Sequence, residues 1–333
     1  MNFQQLRYVR ETVRRQFNLT EAARALHTSQ PGVSRQIREL ELELGVDIFE
    51  RHGRRFVGLT APGRELLPMI ERVLAEAQNL KRLGEEHSAP GTGRLVVATT
   101  HTQARYMLPP VVAAYRELYP KVRLSLQQGS PTAIAQLVIR GDADIAIATE
   151  SLDHYEELLA LPAYQWSHAV VVPVGHPLTR RRRLTLEDIA AWPVVTYSTE
   201  FAGRSRIDQT FAAAGLALDV VLTAIDSDVI KTYVQLGLGI GIIASVAFDV
   251  RRDRGLRRLS TDAIFPVNTT RVAIRRDRHL RAVVAAFIEA FAPELTPDRV
   301  KAALAAVHEH RSAPDGRPAG SGLTEDAAAA RKA

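Results

Sequence analysis

Between Leu19 and Arg55 the sequence reads LTEAARALHTSQPGVSRQIRELELELGVDIFERHGRR. Within it Val33, Ile37, Leu40 and Leu44 recur at helical spacing and face a core, which leaves Gln30, Ser34, Arg35 and Arg38 on the outer face. Glutamine and arginine pair bidentately with adenine and guanine edges, so the chemistry open to this face is the reading of bases in a DNA major groove. Arg51, Arg54 and Arg55 follow in a glycine-containing loop that suits phosphate or minor-groove contact. A second set, Thr99, Thr100, Thr102 and Gln103, follows an apolar run and leads into a helical stretch. Hydroxyls, an amide and a helix N-terminus make an anion site without a fixed cation, suited to a compact dianion or a ligand carboxylate.

The elements that must position the first set are two short helices, a tight turn and a wing. Thr20 is the expected cap of the first helix, Glu21 to Leu26, whose buried face is Ala22, Ala23 and Leu26. His27, Thr28 and Ser29 form the turn, and Ser29 or Thr28 caps the second helix with Pro31 in its first turn. Gly45 ends that helix, and Val46, Ile48 and Phe49 pack back on the core. The expected DNA contacts are Thr28, Ser29, Gln30, Pro31, Ser34, Arg35, Arg38, Arg51, Arg54 and Arg55. A lone arginine is ordinarily a solvated charge, and two-helix corners occur in proteins that bind no DNA; the combination of paired helices, polar outer face and basic wing carries the reading.

Beyond the wing, Thr60 caps and Pro62 opens a helix from Ala61 to about Glu86. Leu66, Ile70, Val73, Ala77 and Leu80 step along it by four, three, four and three, a heptad seam that pairs with a copy of itself in a second chain. The competing reading is an amphipathic helix lying on its own domain. Ser88 to Gly93 reads as a hinge.

From Arg94 strands and helices alternate. Strands are expected at 95–98, 122–128, 145–148, 169–173, 194–197, 220–224, 240–244 and 270–274, with helices at 106–119, 133–140, from Arg204 and from Val229. The pattern is α/β, split into two subdomains with more than one crossover, the kind of pair that closes around small ligands by hinge motion. The predicted division is a winged helix-turn-helix at 1–60, a linker helix at 61–88 and a two-lobed domain at 89–295. Its first lobe spans about 94–161 and 269–295, and its second about 162–268. Thr296 caps a last helix, Pro297 to about His308, and from Ser312 the chain is small, polar and rich in Pro and Gly, a composition that favours disorder.

Composition bounds the function. The 333 residues carry a formal charge of +6, which favours polyanionic partners. Residues 1–60 hold ten arginines, no lysine and seven acidic residues, a net of +3. There is no cysteine, hence no disulfide framework, thiolate metal site or cysteine nucleophile. The opening MNFQQLRYVRETVRR lacks an apolar signal core and no later run spans a bilayer, so a cytoplasmic protein without membrane partners is expected. Glu150 and Asp144 invite an acid–base reading and His101 and His168 a metal reading. No spacing fits a zinc motif and no nucleophile–base pair is apparent, so neither catalysis, metal nor cofactor is expected. His176 sits in a turn, and Arg180 to Arg183 read as a solvated loop or a non-specific DNA contact.

Winged helix, linker helix and two-lobed domain together resemble the LysR-type transcriptional regulators over residues 1 to about 295, which implies a periplasmic-binding-protein-like effector domain. ATTHTQARY (98–106), GDADIAIATE (141–150), PVGHPL (173–178), FAGRS (201–205) and DSDVIKTYVQLGLGIGIIA (226–244) resemble the CysB/Cbl-like subfamily. The resemblance implies a regulator, in the main an activator, of sulfur-assimilation and cysteine-biosynthesis genes. It implies an acetylserine-type inducer opposed by sulfate, thiosulfate or an activated sulfate, a dimer assembled into a tetramer on double-stranded promoter DNA, and contact with RNA polymerase. It implies effector contacts at Thr100, Thr102, Gln103, Thr149, Glu150 and position 202, with Trp166 at the crossover closing the cleft. That subfamily carries FTGRS where this chain has Ala202. The missing hydroxyl puts the bound anion in question, with Ser198, Thr199 or the Gly203 amide as substitutes. A regulator of sulfonate use is the alternative. A solute-binding protein or an enzyme on the same lobed fold is the remote one.

Overall fold

The computed structural model describes residues 1–53, 55–149, 152–199, 201, 203–261 and 264–312. Arg54, Glu150, Ala202 and the tail from 313 therefore lie outside the described residues.

The chain opens with a helix that the sequence reading did not include, α1 (Phe3–Arg14), started by a capping box between Asn2 and Gln5. Next come α2 (Leu19–Ala25) and α3 (Gln30–Leu44). Asn18, not Thr20, caps α2: its side chain accepts from the Thr20 and Glu21 amides at 3.1 Å. Asparagine two residues earlier takes both orphan amides, so the helix starts at Leu19. Ser29 caps α3, Pro31 falls in its first turn and Gly45 ends it at φ +71°. Val33, Ile37 and Leu40 are buried with Leu6, Val9, Ile48 and Phe49. Leu44 and Val46 are not, since the helix end turns both to solvent. The wing is a hairpin of β1 (Phe49–His52) and β2 (Arg55–Leu59).

The linker helix α4 (Ala61–Ser88) starts at Thr60, which accepts from the Gly63 amide at 2.9 Å. A Cβ on Gly63 would stand 2.0 Å from the Ile48 carbonyl oxygen, so only glycine lets this helix seat on the hairpin. The expected seam divides. Ile70 is buried in the N-terminal core and Leu66 packs against it, whereas Val73 and Leu80 are exposed and Ala77 is half-buried. One turn of register separates the face used inside the chain from the face left open, which carries Met69, Val73, Leu80 and Leu83.

Two five-stranded sheets follow. The first has the order β4 (Val122–Gln128), β3 (Gly93–Thr99), β5 (Ile145–Thr149), β12 (Asn268–Arg275), β6 (Leu158–Trp166). The second has the order β11 (Leu256–Leu259), β7 (His168–Pro173), β10 (Ile240–Ala244), β8 (Val194–Tyr197), β9 (Val220–Ala224). Helices α5 (Leu108–Leu118), α6 (Pro131–Arg140) and α10 (Ala282–Phe291) cover the first lobe; α7 (Leu186–Ala190), α8 (Arg204–Ala213) and α9 (Ser227–Gln235) belong to the second. Strands β6 and β11 were not anticipated. The run LLALPAYQW hides β6 because Pro162 breaks the pattern, but β6 is an edge strand, and its register shifts between Thr270 and Arg271, opposite Tyr164 and Pro162. Proline is tolerated at such a place.

This strand moves the lobe boundary. Residues 162–166 pair with β12 and so belong to the first lobe, and the chain crosses at Ser167, not after 161. The last helix, α11 (Pro297–Ser312), buries Val300 and Leu304 in the first lobe's core, so it is part of that lobe and runs past His308. Among the described residues, no helix is long and apolar enough to cross a membrane.

Candidate effector cleft and nucleic-acid interface

The parallel strands β3, β5, β8 and β10 end toward the gap between the lobes, where ligands bind in open α/β sheets. Thr100, Thr102, Gln103, Thr149 and Trp166, five of the seven expected effector residues, line one cavity there; the other two, Glu150 and Ala202, are outside the described residues. The opposite wall, Tyr197, Phe201, Ile225 and Ala244, was not read from the sequence. The cavity is about 20 Å³. That is room for about one water. Thr99, in contrast, is wholly buried and donates to the Ile147 carbonyl at 3.0 Å, an interstrand bond and not a ligand contact.

Thr270 is the hub of the first lobe's wall and was missed. Its Oγ1 lies 3.0 Å from Thr149 Oγ1, accepts from Trp166 Nε1 at 3.1 Å and from Gln103 Nε2 at 3.3 Å. Trp166 Nε1 is also 3.1 Å from Thr149 Oγ1, and Tyr164 donates to Gln103 Oε1. Gln103, Thr149 and Trp166, three of the side chains expected to meet a ligand, are thereby held in one hydrogen-bonded set. Across the gap the Tyr197 hydroxyl is 2.6 Å from Ser227 Oγ and accepts from the Ala244 amide at 2.9 Å. Burial raises the Tyr197 phenol, which stays neutral.

A π-helical turn, Gln103–Met107, runs into α5 and replaces the ordinary helix start expected near Tyr106. It carries Arg105 and Tyr106 to the N-terminal turn of α9. There the Tyr106 hydroxyl donates to Asp228 Oδ1 at 2.7 Å, and Arg105 Nε reaches Asp228 Oδ2 at 3.2 Å. Burial works against the Asp228 charge, but Tyr106, Lys231 and Arg105 outweigh it and hold the carboxyl below its usual range. His101, Asp226 and Asp228 bring metal-ligating atoms within 4.8 Å of one another. Asp228 is already engaged by these cations, however, and Asp226 caps α9 through the Val229 amide.

The other titratable candidates are structural. Asp144 accepts from the Val96 amide at 2.9 Å and pairs with Arg278 and Arg281 at 3.1 Å. His168 is fully buried against Trp166 and Phe265, with neither ring nitrogen hydrogen-bonded, and burial pushes it down to about 3. Its Nε2 would lie 2.2 Å from a Cβ on Gly203, whose φ is +92°, so the N-terminal turn of α8 rests on this ring. His176 caps the short turn at Pro177–Arg180 and stacks edge-on against Trp192.

On the DNA side, Thr28, Ser29, Gln30, Pro31, Arg35 and Arg38 are exposed and Ser34 half-buried, all on the turn or outer face of α3. Arg35 Nε lies 2.9 Å from Glu39 Oε1. Arg51, another expected DNA contact, is exposed but already ion-paired within the domain. It pairs with Glu41, whose carboxylate is buried and also accepts from the Ile48 and Phe49 amides at 2.9 and 3.2 Å. Its guanidinium lies 4.9 Å from the Phe56 ring centre. A buried carboxylate needs a cation, and Arg51 supplies it. Of the wing arginines, Arg55 is exposed and Arg54 lies outside the described residues.

Residues 3–64 match the family described as bacterial regulatory helix-turn-helix protein, lysR family, and residues 88–296 match the LysR substrate binding domain. The chain belongs to the LysR family of transcriptional regulators. The HTH-type transcriptional regulator SsuR of Burkholderia cenocepacia is 56% identical over 295 residues, 89% of this chain and 96% of SsuR. The regulator CysB of the same organism is 53% identical over 304 residues, 91% and 97% of the two chains. The crystal structure of the cofactor-binding domain of the Cbl transcriptional regulator superposes with a TM-score of 0.62 at 48% identity, covering 64% of this chain and 93% of that one. This LysR regulator thus sits in the SsuR, CysB and Cbl group. It is a DNA-binding protein with an effector domain and not an enzyme.

In this LysR regulator the linker helix also touches the first lobe. Asn79 Nδ2 donates to the Asp277 carbonyl at 2.8 Å and Asn79 Oδ1 accepts from the His279 amide at 3.0 Å, while Glu86 accepts from the Ala282 amide at 2.6 Å. These bonds tie the first lobe to α4, the helix that carries the DNA-binding domain.

Proposed function

We propose that this regulator controls sulfur-assimilation genes, in the main as an activator, by sensing a small anionic or acetylated effector in the cleft between its lobes. The observation that carries the proposal is the wall of neutral donors, Thr100, Thr102, Gln103 and Thr149, beside the indole of Trp166. Neutral donors at the end of a strand bind a sulfate-type dianion or a carboxylate without committing to a fixed counter-charge, which suits exchange between inducer and anti-inducer. The CysB/Cbl resemblance favours an acetylserine-type inducer opposed by sulfate or thiosulfate.

In this reading residues 1–60 bind promoter DNA, 61–88 pair two chains, and the lobes sense the effector. The open face of α4, with Met69, Val73, Leu80 and Leu83, supplies an apolar stripe for a second copy, and two such dimers form the tetramer. Two α3 helices then meet an imperfect inverted repeat. Effector binding changes the relative stability of two quaternary states, and RNA polymerase contact follows from the state favoured. Control of sulfonate-use genes is the second reading, and similarity at 56% to SsuR and 53% to CysB leaves the two comparable.

The test is immunoprecipitation of the regulator with its DNA from sulfate-replete and sulfate-starved cells. Peaks upstream of sulfate-uptake or cysteine-synthesis genes support the general role, and peaks at sulfonate genes alone the specialist one. Peaks that ignore sulfur supply and sulfur genes overturn both. In vitro, Gln30→Ala and Arg35→Ala should weaken operator binding selectively, and Arg55→Ala should weaken all DNA alike.

A further inference from the structure

The strongest concentration of charge in this regulator is not in its DNA-binding domain. Strand β7 runs antiparallel to β10, pairing Gly241 with Val171 and Ala244 with His168, so Pro173 lies at the end of the second sheet remote from the cleft. Leu256 of β11 pairs with Pro173, and the Val174 amide bonds to the Gly255 carbonyl. The loop that leaves β7 and the turn that enters β11 therefore share this remote pole. The first carries the run Arg180 to Arg183; the second and its strand carry Arg251, Arg252, Arg254, Arg257 and Arg258. All nine are exposed.

The segments 176–190 and 249–258 hold these nine arginines against four acidic residues, a net of +5 in a chain of net +6. The DNA-binding residues 1–60 carry only +3. Arg181 pairs with Asp188 and Arg252 with Asp249. Among the described residues, no carboxylate pairs with the other seven. Two charges on an edge strand are enough to block strand pairing, which accounts for Arg257 and Arg258 but not for the rest. The cations are all arginine, the side chain whose planar fork matches phosphate, and one-signed fields of this kind attract polyanions.

We propose that this pole of the second lobe is an additional, sequence-independent DNA surface that holds duplex flanking the operator. The operator-bound regulator keeps flanking DNA at high local concentration, so contacts too weak to bind alone add to the complex. The site reads no bases; it contributes through phosphate contact and counterion release.

The test uses the full chain and two duplexes, the operator alone and the operator with long flanks, titrated across salt concentrations. Wild type should show a steeper dependence of log affinity on log salt with the long duplex. R182A/R183A/R254A/R258A should lower that slope by about 2–4, at about 0.9 per phosphate contact. At low salt it should bind the long duplex roughly ten- to a hundredfold more weakly than wild type, a gap that closes as salt rises, with the short duplex unchanged. R182A/R183A, confined to the loop, serves as the second variant if the first unfolds, with half the effect expected. Equal slopes and affinities for wild type and variant on the long duplex overturn the proposal. So does loss of transcription with unchanged DNA affinity and footprint, which would assign the pole to an acidic protein surface. A wild type that binds neither duplex would instead fail the DNA-binding reading itself.

Discussion

Replacing Thr270 by valine tests the hub of the cleft at one atom. Thr270 is fully buried, and valine keeps its branched shape while removing Oγ1. Trp166 Nε1 retains Thr149 Oγ1 at 3.1 Å, so the indole keeps one acceptor. The Gln103 amide loses the acceptor at 3.3 Å, and the Thr149 hydroxyl loses a partner at 3.0 Å. One buried donor left unmade costs about 1–3 kcal/mol, and the weakened second bond keeps the sum within roughly that range. Urea denaturation of the full chain at pH 7.5 should show a loss of about 1–3 kcal/mol without change of slope. Trp166 fluorescence, read in a Trp192→Phe background, should shift because its hydrogen bonding changes. Effector affinity should fall as well, since Thr149 and Gln103 are no longer held in place. In the double variant with Gln103→Leu the extra cost should shrink, because the orphaned donor is gone. A Thr270→Val protein within about 0.5 kcal/mol of wild type, with unchanged fluorescence and effector binding, would refute the assignment of Thr270 as the hub.

Two further outcomes follow from buried charge. The folded His168 ring stays neutral down to about 3, whereas the unfolded ring takes a proton below its ordinary value of 6.5. Acidification through 6.5 therefore favours the unfolded chain, and stability should fall by up to about 1.4 kcal/mol per pH unit from this one group. His168→Asn should flatten the decline measured by urea titration between pH 7 and 5; identical slopes would count against a neutral buried ring. Arg51→Ala should destabilise the winged domain by about 1–2 kcal/mol, a buried-pair cost discounted because Arg51 is partly solvated. Faster hydrogen exchange at the Ile48 and Phe49 amides, which share Glu41, is the readout. Weakened DNA binding with unchanged exchange would instead return Arg51 to the phosphate-contact role.

Local chemistry was legible wherever one segment contains both the cause and its effect. Ser29, Pro31 and Gly45 mark α3 because cap, first turn and left-handed exit are short-range requirements. The TTHTQ run declares a donor-rich strand end for the same reason. Position by position, the strand at 194–197 and the one at 220–224 were visible as apolar runs, while β6 was not, because an edge strand with a proline and a register shift lacks the periodic signal.

Partnerships over long sequence distances were decided by the tertiary structure. Gln103 and Thr270 are 167 residues apart and meet only because β12 returns between β5 and β6. Nothing in the local sequence singles out Glu41, yet the hairpin folds over it and makes Arg51 its counterion. The heptad seam named the right helix, but its own domain took Ile70 and Leu74 and left Val73 and Leu80 to solvent, a choice that depends on which face meets the core first. Side-chain type and spacing along one segment marked most of the elements, the exposed polar face of α3 and the donors available to the cleft, because these are short-range properties. Which donors converge, which arginine is free and where the second lobe gathers its charge were settled only when strand order brought distant segments to the same place.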